Sequence, residues 1–100
     1  MTGNAITYDY PPPTEWRKHM IPGGIQFRVR TSDGMRTGSA LIIAHTDLIR
    51  AAFGEGDSLK IAREHSDEIL RWAKEQIERP DNPQLDLVCH LNEPKIPKDP

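Results

Sequence analysis

An internal disulfide is excluded, because Cys89 is the only cysteine among the 100 residues of this chain; a cysteine-rich zinc site is excluded for the same reason. Long hydrophobic runs are missing too, and no stretch approaches the ~20 consecutive apolar residues of a membrane span. The first ten residues, MTGNAITYDY, have neither a basic n-region nor an apolar h-region, so a cytoplasmic protein with no membrane partner is expected. No strong excess of one charge exists: the formal net charge is -2. Residues 1–50 hold six basic and four acidic side chains, and residues 51–100 hold seven basic and eleven acidic. That balance weighs against a general nucleic-acid binder, whose affinity comes from many phosphate neutralisations.

Motifs that carry chemistry are equally sparse. His19, His45, His65 and His90 are scattered, with no His-x-x-x-His pair, so no metal and no cofactor is expected. Pro22-Gly23-Gly24 and Gly54-Glu55-Gly56-Asp57 lack the Lys-Ser/Thr ending of a phosphate loop, and Glu55 and Asp57 would repel phosphate. Cys89 and His90 are neighbours on an alternating segment, so their side chains point oppositely and a Cys-His catalytic pair is disfavoured. Adjacent carboxylates such as Asp67 and Glu68 fall on an exposed helical face, where no pocket would raise a pKa. These absences point away from an enzyme.

What the chain does contain is a strong helical period. From Ser58 to Arg79 the residues Ala62, Ser66, Ile69, Ala73 and Ile77, flanked by Leu59, Leu70 and Trp72, recur at three- and four-residue spacing. Opposite charges four apart, Lys60 with Glu64, Asp67 with Arg71 and Glu75 with Arg79, support one long helix by roughly 0.2–0.5 kcal/mol each. Asp57 or Ser58 can cap its start, and Pro80 ends it. A short helix, Asp47 to Phe53, is expected ahead of it, with Thr46 as N-cap and Gly54 at its C-terminal end.

The strand signals come from alternation. Ile25, Phe27 and Val29 alternate with Gln26, Arg28 and Arg30; Asp33-Gly34 is a turn signal; Met35 to Ala44 returns as the partner strand. Leu85, Leu87, Cys89 and Leu91 alternate in a third strand. The expectation is an α+β domain over residues 25–92: a three-stranded antiparallel sheet, hairpin plus C-terminal strand, packed on one short and one long helix. Residues 1–24 form an extended proline-containing arm around Pro11-Pro12-Pro13, with a short edge strand near Tyr8 and a helical turn after Thr14; residues 93–100 form an extended tail.

Binding surfaces remain as the source of function. Tyr8, Tyr10 and Trp16 are large amphipathic side chains, either offered to a partner or folded back over the open side of the sheet. Glu55, Asp57, Glu64, Asp67 and Glu68 form an acidic side suited to a basic partner surface, or a solvated helix face. Arg28, Arg30 and Arg36 on the hairpin are the alternative, a nucleic-acid contact, though no aromatic residue interleaves there for base stacking.

The run from Ile25-x-Phe27 through Asp33-Gly34, Leu48 to Phe53-Gly54 and the Arg63-to-Ile77 helix resembles a small bacterial family of unknown function built as hairpin, short helix and long helix. In length, mixed charge and its Tyr8-Asp9-Tyr10-Pro11-Pro12-Pro13-Thr14-Glu15-Trp16 opening, the chain resembles the small phage-borne anti-CRISPR proteins directed at type I (I-F) surveillance complexes. Those proteins share no diagnostic motif, so no residue role is carried across. The resemblance implies a non-enzymatic, monomeric inhibitor that binds a Cas subunit and blocks target-DNA binding. With Trp16, Tyr10 and the acidic side as its contact residues, direct nucleic-acid binding is not expected of it; a small regulatory or accessory domain contacting nucleic acid through Arg28, Arg30 and Arg36 is the alternative.

Overall fold

The computed structural model describes residues 5–20, 23–79, 81 and 83–91. The expected tail at 93–100 and the last residue of the expected domain lie outside them. In chain order the elements are β1 (Thr7–Asp9), β2 (Arg17–His19), β3 (Gly24–Ser32), β4 (Thr37–His45), α1 (Thr46–Phe53), α2 (Ser58–Glu64), α3 (Ser66–Ile77) and β5 (Leu87–Leu91).

The hairpin β3–β4 is the backbone of the sheet, an antiparallel ladder of nine residue pairs from Gly24↔His45 to Ser32↔Thr37. Alternation places Ile25, Phe27 and Val29 inward and buried, with Arg28 and Arg30 outward and exposed. The connection is a four-residue loop rather than a two-residue Asp-Gly turn, because the Asp33 carboxylate accepts from the amides of Met35 (2.9 Å) and Arg36 (2.8 Å). Those two backbone bonds, Arg36 first, hold the Asp33 carboxyl below its ordinary pKa.

The expected three-stranded antiparallel sheet needs correction at both edges. β5 pairs with β4 in parallel, Ala40↔Leu87 through Ala44↔Leu91. The helices between them carry the chain back to the end of the sheet where β4 began, and a strand entering from that end must run parallel. On the other edge, β1 and β2 both pair antiparallel with β3, giving a mixed five-stranded sheet. The segment expected as an extended arm therefore contributes two short strands, joined by a 3₁₀ turn at Pro13–Glu15.

The helices all lie on one face. The stripe Ala62, Ile69, Ala73 and Ile77 is buried, as its period requires, against Ile25, Phe27, Val29, Ala40, Ile42 and Ala44. Each fully buried branched aliphatic side chain there contributes about 1.5–3 kcal/mol. The expected single long helix is divided at His65, whose backbone (φ -114°, ψ 33°) leaves the helical region. His65 and Ser66 are weak helix formers, and the His65 ring stacks on Phe53 at 4.1 Å between centroids, which in turn stacks on Trp72 at 5.5 Å. Neither Asp57 nor Thr46 caps a helix with its side chain. Asp57 instead pairs with Lys18 (3.6 Å), and Thr46 is itself the first residue of α1, its amide donating to the Gly23 carbonyl at 3.2 Å.

Two glycines are required by close approach. A Cβ on Gly24, at φ +137°, would stand 2.0 Å from the Ala44 carbonyl oxygen across the ladder. One on Gly38 would stand 2.7 Å from an Asp86 carboxylate oxygen and 2.8 Å from the Leu85 carbonyl. The approach to β5 docks there: Thr31 Oγ1 donates to the Leu85 carbonyl (2.6 Å), and the Ser39 amide donates to Asp86 (3.0 Å).

Candidate functional site

Because every helix among the described residues packs on one side, none of them covers the opposite face of the sheet. Outward alternation brings together Arg17 and His19 from β2, Gln26, Arg28 and Arg30 from β3, Ser39, Leu41, Ile43 and His45 from β4, and Val88 and His90 from β5. Val88 is 59% exposed, whereas its inward neighbours Leu87 and Cys89 pack against the core. This face holds the features an association surface combines: a few apolar side chains at its centre with arginines beside them.

Its sharpest feature is a cleft of about 550 Å³ over the β1–β3–β4 strands, lined among others by Thr7, Asp9, Arg28, Arg30, Thr37 and Ser39. Arg28 and Arg30 sit two residues apart on one strand and so share a side. Arg28 Nη1 donates to Ser39 Oγ at 3.0 Å. Arg30 stands across from Asp9 in the β1–β3 register, and its side chain makes no hydrogen bond among the described residues. A second hollow of about 280 Å³, lined by Tyr10, Pro11, Pro12 and Glu15, continues past the same two arginines. Guanidinium forks beside hydroxyls are suited to a carboxylate, which they grip bidentately.

The third arginine expected on this surface is elsewhere. Arg36 is in the hairpin loop, where its Nη2 meets the Asp33 carboxylate at 3.2 Å. Trp16, expected as a contact residue, is fully buried and stacks on Phe27 at 4.5 Å, so it presents no surface. The Arg63 guanidinium holds that segment on α2, donating to the carbonyls of Pro13 and Trp16, each at 3.1 Å. Tyr10 is half-buried and donates to the Glu78 carboxylate, with the Lys74 ammonium 5.4 Å above its ring. Burial, then the Glu78 carboxylate, push its hydroxyl pKa well above the ordinary tyrosine value. Tyr8 donates to the Ile77 carbonyl at 3.2 Å and so closes the C-terminal end of α3.

The acidic residues are spread over the helical side. Glu55 has Arg50 as a neighbour (3.7 Å), Asp57 has Lys18, and Glu68 pairs with Arg71. Glu64 and Asp67 are exposed on α2 and α3. With three of the five accompanied by a cation, this side has little unbalanced negative field to offer. Cys89 faces inward, where burial pushes its thiol pKa up.

One juxtaposition has no signal in the spacing of the sequence. His45 Nε2 and His90 Nδ1, from adjacent strands, lie 2.9 Å apart on the open face. His19 Nδ1 is 2.6 Å from Gln26 Oε1 on the same face. No group of three or more His, Cys, Asp or Glu side chains able to hold a metal ion occurs among the described residues, and no helix among them is long and apolar enough to cross a membrane. Comparison with known protein families, with curated proteins and with solved structures finds no match.

Proposed function

We propose that this chain is a non-enzymatic protein-binding module that works through the open face of its sheet, with Arg28 and Arg30 as charged anchors. The observation that carries this reading is the cleft in which the two guanidiniums stand beside Ser39 and Thr37 on a face that none of the described helices covers. The apolar centre at Leu41 and Val88 favours a protein surface bearing carboxylates over a nucleic-acid backbone. The net charge of -2 gives little long-range attraction for a phosphate backbone. The ionisable groups with displaced pKa values have structural tasks: Tyr8 and Tyr10 fasten β1 and the segment after it to α3, Asp33 shapes a turn, and Cys89 packs in the interior.

The narrower form of the proposal rests on the resemblance of the N-terminal segment: an inhibitor that occupies a Cas subunit of a type I surveillance complex and blocks target-DNA binding. Size-exclusion co-elution with a type I-F surveillance complex, followed by target-DNA binding, tests it. Co-elution with loss of DNA binding, both abolished by Arg28→Glu with Arg30→Glu, supports inhibition through the open face. Co-elution that survives the charge reversal but is lost with Asp67→Lys and Glu68→Lys would move the contact to the helices. No co-elution would remove that complex as the target. Affinity of the purified chain for duplex DNA that falls steeply with salt would replace a protein partner by nucleic acid.

A further inference from the structure

We propose that His45 and His90 form a binding site for a divalent transition-metal ion of the Ni(II) and Cu(II) class, independent of the partner surface around Arg28 and Arg30. The carrying observation is that one ring nitrogen of each, Nε2 of His45 and Nδ1 of His90, are aimed at each other 2.9 Å apart. Two imidazole nitrogens bound at about 2.05 Å and subtending 90° at an ion lie about 2.9 Å apart, whereas a tetrahedral angle would set them near 3.3 Å. The spacing therefore matches adjacent positions of a square-planar or octahedral ion, and binding needs each ring to turn so that its lone pair leaves the line between the two nitrogens and points at the ion. Imidazole is a preferred ligand of Ni(II) and Cu(II), which adopt those geometries.

The site is pre-organised by the sheet. β4 and β5 are locked in parallel register, with Ile43↔His90 and Ala44↔Leu91 as partners, so His45 and His90 are held on neighbouring strands and on one face. The rings are inclined at 59° with centroids 5.1 Å apart, so they meet through their nitrogens rather than stacking. Without an ion, one ring donates its N–H to the other. On metal binding that proton moves to the far nitrogen of the donating ring, both facing lone pairs turn to the ion, and no proton need leave the protein. No third His, Cys, Asp or Glu joins the pair among the described residues, and the proposed site takes water at its remaining positions. An ion there ties β5, which among the described residues pairs only with β4, more firmly to the sheet.

The test is calorimetric titration of the tag-free chain with NiCl2 in a buffer without imidazole, alongside thermal unfolding and NMR of the histidine rings. The expected result is one Ni(II) per chain, a melting temperature that rises with metal and returns on adding EDTA, and paramagnetic broadening confined to the rings of His45 and His90. His45→Ala and His90→Ala should each weaken binding at least tenfold, while His19→Ala and His65→Ala leave it unchanged. Both positions are on the surface of the sheet, and circular dichroism of each variant confirms folding. Binding that persists in both variants, broadening centred on His19 or His65, or no heat up to millimolar Ni(II) would overturn the proposal. Half an ion per chain accompanied by dimerisation would overturn completion by water and assign the remaining ligands to a second copy.

Discussion

The two faces of one sheet are built from the same strands, and they differ in almost every physical respect. Inward, Ile25, Val29, Ala40, Ile42 and Ala44 have no exposed surface and share one core cluster with the helical residues Ala62, Ile69, Ala73 and Ile77. Outward, the intervening residues include Arg28, Arg30, Val88 and His90, which are exposed. The inner face is buried under the helices, and none of the described helices covers the outer face. A single alternation of residues along β3, β4 and β5 therefore separates the buried face from the open one at every second position.

Substitutions can break this contrast, and the largest effect belongs to the inner face. Phe27→Ala removes a buried ring and its stack with Trp16, and should cost about 3–5 kcal/mol in urea unfolding. Thr31 is the single polar side chain buried in that face among the described residues. Thr31→Val removes its hydroxyl bond to Leu85 and leaves a partly buried carbonyl without that donor, so a loss of about 1–3 kcal/mol is expected by the same measurement.

The third effect depends on pH. Tyr8 and Tyr10 both have hydroxyl pKa values raised above the ordinary value, chiefly by burial. A raised folded-state pKa means that the unfolded chain ionises first, so the stability these hydroxyls contribute is fully present below about pH 10 and is lost as pH rises beyond it. Chemical denaturation from pH 8 to 11 should show that decline, and Tyr8→Phe with Tyr10→Phe should flatten it. The smallest effect sharpens the contrast from the other side. Arg28→Ala and Arg30→Ala should each change stability by no more than about 0.5 kcal/mol, because neither is buried or engaged in a turn.

The parts of this fold that are legible from local pattern are those in which one period persists. β3 and β4 follow from the alternation at Ile25–Arg30 and the apolar run at Ala40–Ala44, and the buried stripe of α3 follows from Ile69, Ala73 and Ile77. The direction of β5 was not legible, since alternation at Leu87, Cys89 and Leu91 is the same in a parallel or an antiparallel strand. β1 follows the alternation around Tyr8 that marks a short edge strand, whereas β2 was obscured by its three-residue length, and local pattern did not show that both pair with β3. The break at His65 likewise depends on a ring stack with Phe53 from another helix.

The site divides in the same way. Arg28 and Arg30 share a face by spacing alone, and alternation places them outward. Arg36 has the same charge, yet its position is set by a loop whose bonds converge on Asp33. Trp16 shows the limit of composition: an amphipathic ring is suited to an interface or a core, and here its indole Nε1 is buried without a partner, a cost offset by its stacking and complete burial. The His45–His90 pair joins residues 45 positions apart and became visible only once β5 was registered in parallel on β4.

The central claim, that the open face is the contact surface, is tested most directly by site-specific photo-crosslinking in cells that produce the protein. A photoreactive amino acid replaces Val88 on the open face or, for comparison, Glu75 on the exposed side of α3. The account predicts a discrete protein adduct from position 88, none from position 75, and loss of the adduct when Arg28 and Arg30 are changed to Glu. An adduct from position 75 with none from position 88 would place recognition on the helical side and contradict it.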